Sequence, residues 1–290
     1  MPVIDIVITV FVFLALILFW IILLDTNRFV VRRTQVTDER IRKPLRAVVI
    51  ADLHNKQFGK DNCNLLEAIR KEQPDVILVA GDILMARPKK SLEPAIHFIR
   101  ELSKEYPIYY GNGNHEHRLK LYPETYADMA DRYKDALGEC GVDPLVNTSA
   151  TLAEYGMNIC GVEIDREYYR RFRKIPMEKE YLRSVLGEKD KELYTVLLAH
   201  NPEYFEAYAE WGADMVLSGH LHGGVARVPF WGKGVISPSF RLFPKYDGGE
   251  FELGQTKMIL SRGLGTHTIP VRVFNPGELW VVSFLPEKGE

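Results

Sequence analysis

The sequence predicts an α/β domain, with parallel strands covered by helices, behind a single membrane-spanning helix. Two observations carry the α/β class. Short β-branched apolar runs alternate with segments of helical spacing, and these runs end in polar or glycine-rich turns. A third observation carries the span: 19 residues from Ile6 to Leu24 contain one polar side chain, Thr9.

The span comes first in order. At 1.5 Å per residue such a helix is about 28 Å long, close to the hydrocarbon thickness of a bilayer. No Lys or Arg precedes it and no small-residue cleavage site follows, so it reads as a retained anchor over 1–25 and not as a signal peptide. Residues 26–45 read as a basic juxtamembrane linker. From Asp25 to Arg46 seven cations (Arg28, Arg32, Arg33, Arg40, Arg42, Lys43, Arg46) face three acids, while only Asp5 precedes the span. That asymmetry predicts a single-pass protein of the cell membrane with its domain on the cytoplasmic side. The same cations are expected near anionic headgroups, where each contributes on the order of 1 kcal/mol.

The domain is expected over 46–290. Ala47–Ala51 reads as a buried strand, Asp61–Lys71 as a helix and Val76–Ala80 as a second strand. A helix over Ser91–Lys104, a strand over Ile108–Tyr110 and a helix over Pro123–Leu137 follow. Asn158–Val162, Thr195–Ala199, Met215–Ser218, Val271–Val273 and Leu279–Phe284 read as further strands, with a helix after Pro202. From Val225 on, turns and strands predominate, which suggests a second sheet.

Composition excludes several classes. With 37 basic and 39 acidic residues, the net charge of -2 excludes a polybasic nucleic-acid binder and an acidic disordered tail. The three cysteines (Cys63, Cys140, Cys160) are widely spaced, which excludes a disulfide scaffold or a thiolate zinc site. There is no P-loop and no G-x-S-x-G elbow, and Leu119 breaks the H-E-x-x-H pattern begun by His115 and Glu116.

The chemistry sits where the strands end, which is where open α/β sheets bind ligands. The first strand exits into Asp52-Leu53-His54, the second into Gly81-Asp82 and the third into Gly113-Asn114-His115-Glu116. The later strands exit into His200 and into Gly219-His220-Leu221-His222. Each fragment alone is weak. Five in succession point to convergence on one site.

This ordered set resembles the calcineurin-like metallophosphoesterase superfamily, over nearly all of Arg46 to Phe284. The N-terminal span, Ser261–Gly265 and Phe274–Leu279 are similar to its membrane-associated YkuE/YaeI-like branch. The resemblance implies a four-layer α/β/β/α sandwich of two mixed sheets. It also implies two divalent cations: Asp52, His54, Asp82 and His222 for the first, and Asp82, Asn114, His200 and His220 for the second, with Asp82 bridging. A shared carboxylate between two cations about 3.5–4 Å apart offsets their repulsion. Nitrogen and oxygen donors without thiolate suit Mn, Fe or Zn, with Mg a further fit.

The activity implied is phosphoester hydrolysis, in which a hydroxide held between the metals attacks phosphorus in line. His115 is expected to act on the phosphoryl or leaving group rather than as a ligand, and Asn114 to hold metal and orient substrate. Arg262 and His267 are candidates for substrate binding. His97 reads as structural and His117 as a surface or supporting residue. The aromatics Phe230, Trp231, Phe240, Phe243 and Tyr246 read as hairpin packing. The continuation of Asp82 into Ile83-Leu84 lacks the Asp-Arg-Gly of protein phosphatases, with Arg87 the nearest replacement. The expected substrate is a phosphomonoester, a phosphodiester, or a lipid or nucleotide pyrophosphate, with no obligate nucleic acid. The rival readings are a metal-stabilised membrane scaffold and a nuclease of the same superfamily.

Overall fold

The computed structural model describes residues 3–170, 174–224, 226–229, 232–235, 242–266 and 270–287. Its first element, α1 (Val3–Asn27), is apolar on every side and carries no buried apolar residue. Helices that are apolar all round need an apolar surrounding, which the domain does not supply here.

Behind α1 the chain builds two sheets. The first has the order β1 (Phe29–Asp38), β11 (Gly277–Pro286), β2 (Leu45–Ile50), β3 (Val76–Ala80) and β4 (Ile108–Gly111). β2, β3 and β4 run parallel, β11 runs antiparallel to β2, and β1 runs parallel to β11. The second has the order β5 (Thr148–Leu152), β6 (Met157–Val162), β7 (Tyr194–Ala199), β8 (Met215–Ser218), β10 (Thr256–Leu260) and β9 (Gly249–Leu253). Its four central strands are parallel and its two edge strands antiparallel.

Alternation along the strands makes the layers. Ala47 and Val49 of β2 face a core shared with Val196 and Leu198 of β7 and Leu217 of β8. Val48 and Ile50 point the other way, onto α2 (Cys63–Glu72) and α3 (Glu93–Ser103) through Leu65, Ile69, Phe98 and Ile99. Leu197 and Val216 face α8 (Phe205–Trp211) through Phe205 and Tyr208, beside Leu182 of α7 (Lys179–Leu186). Side chains of period two thus separate three apolar cores between four layers, α/β/β/α.

Several elements differ from the sequence expectation. Residues 26–45 are not a linker: β1 occupies 29–38 and pairs with β11 along its whole length. Its arginines hide the strand signal because β1 is an edge, where charged side chains are the usual guard. Five of the seven flanking cations pair with acids: Arg28 with Asp25, Arg32 with Glu278, Arg33 with Glu72, Arg40 with Asp38 and Asp214, and Lys43 with Glu154. The expected helix over 123–137 is broken at Ala127 (φ 51°) into α5 (Pro123–Tyr126) and α6 (Met129–Glu139). An unforeseen helix, α4 (Asn114–Leu121), begins inside the third polar motif. The second sheet opens at Thr148, well before Val225. Around 271–273 only Val273 makes a strand-like bridge, to Ala226.

β1 buries Phe29 and Val31 against one core and Val36 in another. A chain beginning at residue 27 is therefore expected to unfold cooperatively. One beginning at residue 46 should lose several kcal/mol, from the buried Val36, Ile41 and Leu45 at about 1.5–3 kcal/mol each and less from the partly buried Phe29 and Val31, and expose β11. Thermal unfolding of the two truncations checks this; equal midpoints would return 26–45 to the status of a linker.

Candidate metal centre

The polar motifs all leave strand ends and fold back toward one another. Five of their residues have left-handed backbones that L side chains seldom adopt: Asp52 (φ 51°), His54 (50°), Asp82 (58°), His220 (71°) and His222 (52°). Such strain costs on the order of 1–3 kcal/mol per residue and persists only where the surroundings enforce it. Enforcement comes from close backbone packing. Gly263 lies so near Asp52 that any Cβ would collide with it, and Gly81 sits equally tightly against Gly113.

Glu116 is the clamp. Its Oε2 accepts hydrogen bonds from the Asp82 N–H (2.9 Å) and the Gly113 N–H (3.0 Å). Its Oε1 accepts from the Ile83 N–H (2.9 Å) and the Tyr110 hydroxyl (2.9 Å). One buried carboxylate therefore ties the turn carrying Asp82 to the turn carrying Asn114, while returning to the N-cap N–H of α4 as N3 glutamates do. Burial, then the neighbouring Asp82, push its pKa up to about 7.

The ligand-type atoms gather in three overlapping groups, each spanning no more than 4.8 Å: Asp52, His54 and His222; His54, Asp82 and His115; Asp82, His200 and His220. His54 Nε2 and His222 Nε2 face each other at 3.1 Å. His200 Nε2 stands 3.1 Å from Asp82 Oδ2. The Asn114 Oδ1 is buried with no hydrogen-bond partner.

Backbone partners fix what each ring can do. His200 Nδ1 lies 2.7 Å from the Ala80 carbonyl and His54 Nδ1 lies 3.3 Å from the Leu84 carbonyl. A carbonyl only accepts, so both Nδ1 atoms carry the proton and both Nε2 atoms present lone pairs to the cluster. In the neutral ring, the His200 lone pair meets the Asp82 carboxylate head-on. A proton or a cation between them removes that repulsion, and the donor set fits a divalent cation. His115 is wired the opposite way: its Nδ1 accepts from the Ala86 N–H at 2.8 Å, so its Nε2 carries hydrogen. Its Nε2 stands 4.0 Å from Asp82 Oδ2.

The electrostatics agree. Burial opposes ionisation of Asp82, but His200 and His115 outweigh it and hold the carboxyl well below its usual range. Burial, with Asp82 adding to it, raises Asp52 to about 7, although His200 opposes the shift. Burial alone would lower His200, yet Asp82 and Asp52 lift it to about 10.

A family profile for calcineurin-like phosphoesterases matches residues 45–224, the stretch from β2 through the last of these histidines. The chain belongs to the calcineurin-like phosphoesterase family. It is 27% identical over 252 residues to the Bacillus subtilis protein YpbG, covering 83% of this chain and 81% of that one. It is 26% identical to a Helicobacter pylori metallophosphoesterase, over 89% of this chain and 64% of the relative's length. It is 22% identical to the Escherichia coli phosphodiesterase YaeI, over 77% and 76%. The chain is thus a phosphoesterase hydrolase with a cluster suited to divalent metal.

The other sequence candidates fall elsewhere in the phosphoesterase. Arg262 is bound to Glu278, with Nε 3.3 Å from Oε1. His267, Phe230, Trp231 and Phe240 lie outside the described residues. His97 is half-buried beside Asp61 and Glu93, His117 faces Glu163 at 3.9 Å, and Arg87 is exposed. Sequence reasoning missed Glu116, whose place three residues after Gly113 is a cap signal, and Asn275. The Asn275 side chain donates to the His222 carbonyl at 2.8 Å.

Two outcomes are expected. At pH 7 a protonated His200 and a half-protonated Asp52 must release about one to two protons when Mn²⁺ binds. Titration calorimetry in buffers of different ionisation enthalpy reads that number, and heats independent of buffer would contradict it. Replacing Glu116 by Gln removes an acceptor from four converging donors. Metal affinity should fall about 10–100-fold, with a loss of about 1–3 kcal/mol in stability; unchanged Mn²⁺ affinity would show that the clamp does not position Asp82.

Proposed function

We propose that this protein is a membrane-anchored phosphoester hydrolase with a dinuclear metal centre. Asp52, His54, Asp82 and His222 hold one divalent cation. Asp82, Asn114, His200 and His220 would hold the second, with Asp82 common to both sets. The observation that carries this reading is the opposed wiring of the imidazoles. His54 and His200 bond carbonyls and turn lone pairs inward, whereas His115 accepts a backbone N–H and turns a proton inward. A site of lone pairs and carboxylates with one positioned donor suits metal-assisted phosphoryl transfer.

When bound, the cations supply an activated water and neutralise the phosphoryl oxygens. The chain's own residues do the rest. His115 donates a hydrogen bond from Nε2 to a phosphoryl oxygen or to the departing oxygen; with Nδ1 held by the Ala86 N–H the ring is neutral and keeps its proton, stabilising the negative charge that builds there. Its orientation is fixed twice, by Ala86 at Nδ1 and by its own N–H, which donates to Asp82 Oδ1 at 2.7 Å. Asn114 turns its Oδ1 to metal, and Glu116 keeps the two turns in register.

α1 serves as the anchor, and the excess of Arg and Lys after it favours a cytoplasmic domain. The substrate is a phosphomonoester, phosphodiester or pyrophosphate, and the names of relatives such as the phosphodiesterase YaeI lend weight to the diester.

With Mn²⁺, the purified full chain is expected to hydrolyse bis-p-nitrophenyl phosphate and to lose that activity on chelation. Asp82→Asn should lose bound metal and turnover together. His115→Ala should retain two ions by elemental analysis while turnover falls about 10²–10⁴-fold. Two bound ions with no turnover on any activated ester would favour the metal-stabilised scaffold instead.

A further inference from the structure

Where α1 meets the domain, the two enclose a groove of about 490 Å³. Its walls are unusual in combination. Ile21, Leu24 and Asp25, with Arg28 just beyond the helix, recur at spacings of three and four and so form one stripe. The domain side brings Arg227, Arg262 and Phe274. Three guanidinium groups thus line a space whose floor is the last apolar turn of a membrane helix.

The local charges do not cancel. Around the groove stand Arg28, Arg32, Arg227, Arg262 and Arg272, against Asp25, Asp247, Glu278 and, on the far side of Arg272, Asp52. Glu278 is shared between Arg32 and Arg262, at 3.2 and 3.3 Å. Arg272 spends its donors on the carbonyls of Arg262, Gly263, Gly265 and Asn275. Arg227 is 4% exposed; its terminal nitrogens donate to the carbonyls of Gly223, Gly232 and Asp247, its acid Asp247 stands 3.6 Å away, and its Nε alone has no hydrogen-bond partner. Burial and the nearby Arg262 both lower the pKa of Arg227, as expected where cations outnumber anions. Each lining arginine has an acid near it, Arg28 with Asp25, Arg227 with Asp247 and Arg262 with Glu278, yet the cations outnumber the acids and the groove carries a net positive field that favours an anion.

We propose that this groove binds the phosphate headgroup of an anionic phospholipid, with the acyl chains leaving along Ile21 and Leu24. The proposal rests on α1 spanning the bilayer, as argued above. In that placement Ile21 and Leu24 lie in the outer acyl region and Arg28 at headgroup level, since the apolar run ends at Leu24. A ligand entering there must be apolar at one end and negatively charged at the other, and a lipid of the surrounding leaflet meets both conditions. Guanidinium forks suit phosphate oxygens. The groove also adjoins the metal centre through the backbone. Arg262 packs against Gly223, the neighbour of His222, and Asn275 links Asp25 to the His222 carbonyl.

The test uses the full chain in detergent micelles and native mass spectrometry with phosphatidylglycerol, phosphatidylcholine or inorganic phosphate as probe. Wild-type protein should retain one phosphatidylglycerol at least tenfold more strongly than phosphatidylcholine, and millimolar inorganic phosphate should not displace it. Arg28→Glu, which reverses one charge, and Ile21→Trp, which fills the groove from the helix side, should each reduce retention at least fivefold. Both variants should still hydrolyse bis-p-nitrophenyl phosphate, which separates the groove from the catalytic reading. Equal retention of the two lipids, displacement by inorganic phosphate, or full retention in both variants would overturn the proposal. Loss of hydrolysis in wild-type protein would strike the phosphoesterase reading alone and leave lipid retention to be judged by itself.

Discussion

The whole arrangement depends on two buried carboxylates, Asp52 and Asp82, that share their neighbours: His54 Nε2 stands 3.7 Å from each, and His200 Nε2 stands 3.8 and 3.1 Å from them. Neither can be hydrated there, and a buried charge without a partner costs several kcal/mol. Imidazoles surround them, but His54 and His200 have committed their Nδ1 protons to carbonyls and offer only lone pairs. Protonating the rings relieves the conflict in the metal-free protein, which is why His200 is raised so far. Divalent cations relieve it more completely, because one cation faces several donors at once. Folding and metal binding therefore draw on the same free energy.

That constraint explains features with no other evident purpose. Five left-handed residues at the strand ends are expensive, and nothing in the two sheets requires them. They aim side chains that leave separate strands of both sheets at a common point. Glycines supply the room: Gly263 lies against the Asp52 side chain and Gly265 against the backbone of Asp52 and Leu53, where a side chain would push the first ligand loop aside. Glu116 supplies the rigidity, holding with one carboxylate the N–H groups of Asp82, Ile83 and Gly113. It adds to the His115 N–H bond to Asp82 Oδ1 and to the packing of Gly81 on Gly113, which tie the same two turns together.

How much of this the sequence disclosed follows from the same physics. Asp52, His54, Asp82, Asn114, His115, His200, His220 and His222 were legible because each directly follows a short buried strand, and buried β-branched runs are the clearest pattern an α/β chain offers. β2, β3, β7 and β8 were legible for that reason. β1 was not, since an edge strand carrying Arg32, Arg33 and Arg40 has the composition of a linker, and its pairing with β11 joins residues some 250 positions apart. The break at Ala127 was hidden because Ala is a strong helix former and only tertiary packing turns its φ positive. Asn275 and Asp25 were hidden because their importance lies in a contact across the length of the chain. The layering came from resemblance, because periodicity reveals which face of a strand is buried but not what lies against it.

The joint between α1 and the domain has almost no slack. One residue separates the end of α1 from the start of β1. The last turn of the helix is bonded at three successive positions: Asp25 accepts the Asn275 N–H, Thr26 Oγ1 accepts the Arg272 N–H, and Asn27 Oδ1 accepts from Lys56. Lys56 follows His54 by two residues, and Asn275 holds the His222 carbonyl, so two of the three bonds end beside ligand loops. A flexible tether lets a domain sample a range of heights and tilts over a surface. A joint of this kind fixes both, so under the proposed anchoring by α1 the candidate metal centre would stand at one distance from the headgroups. Under that anchoring the phosphoryl groups within reach would be set by geometry before any pocket selects among them.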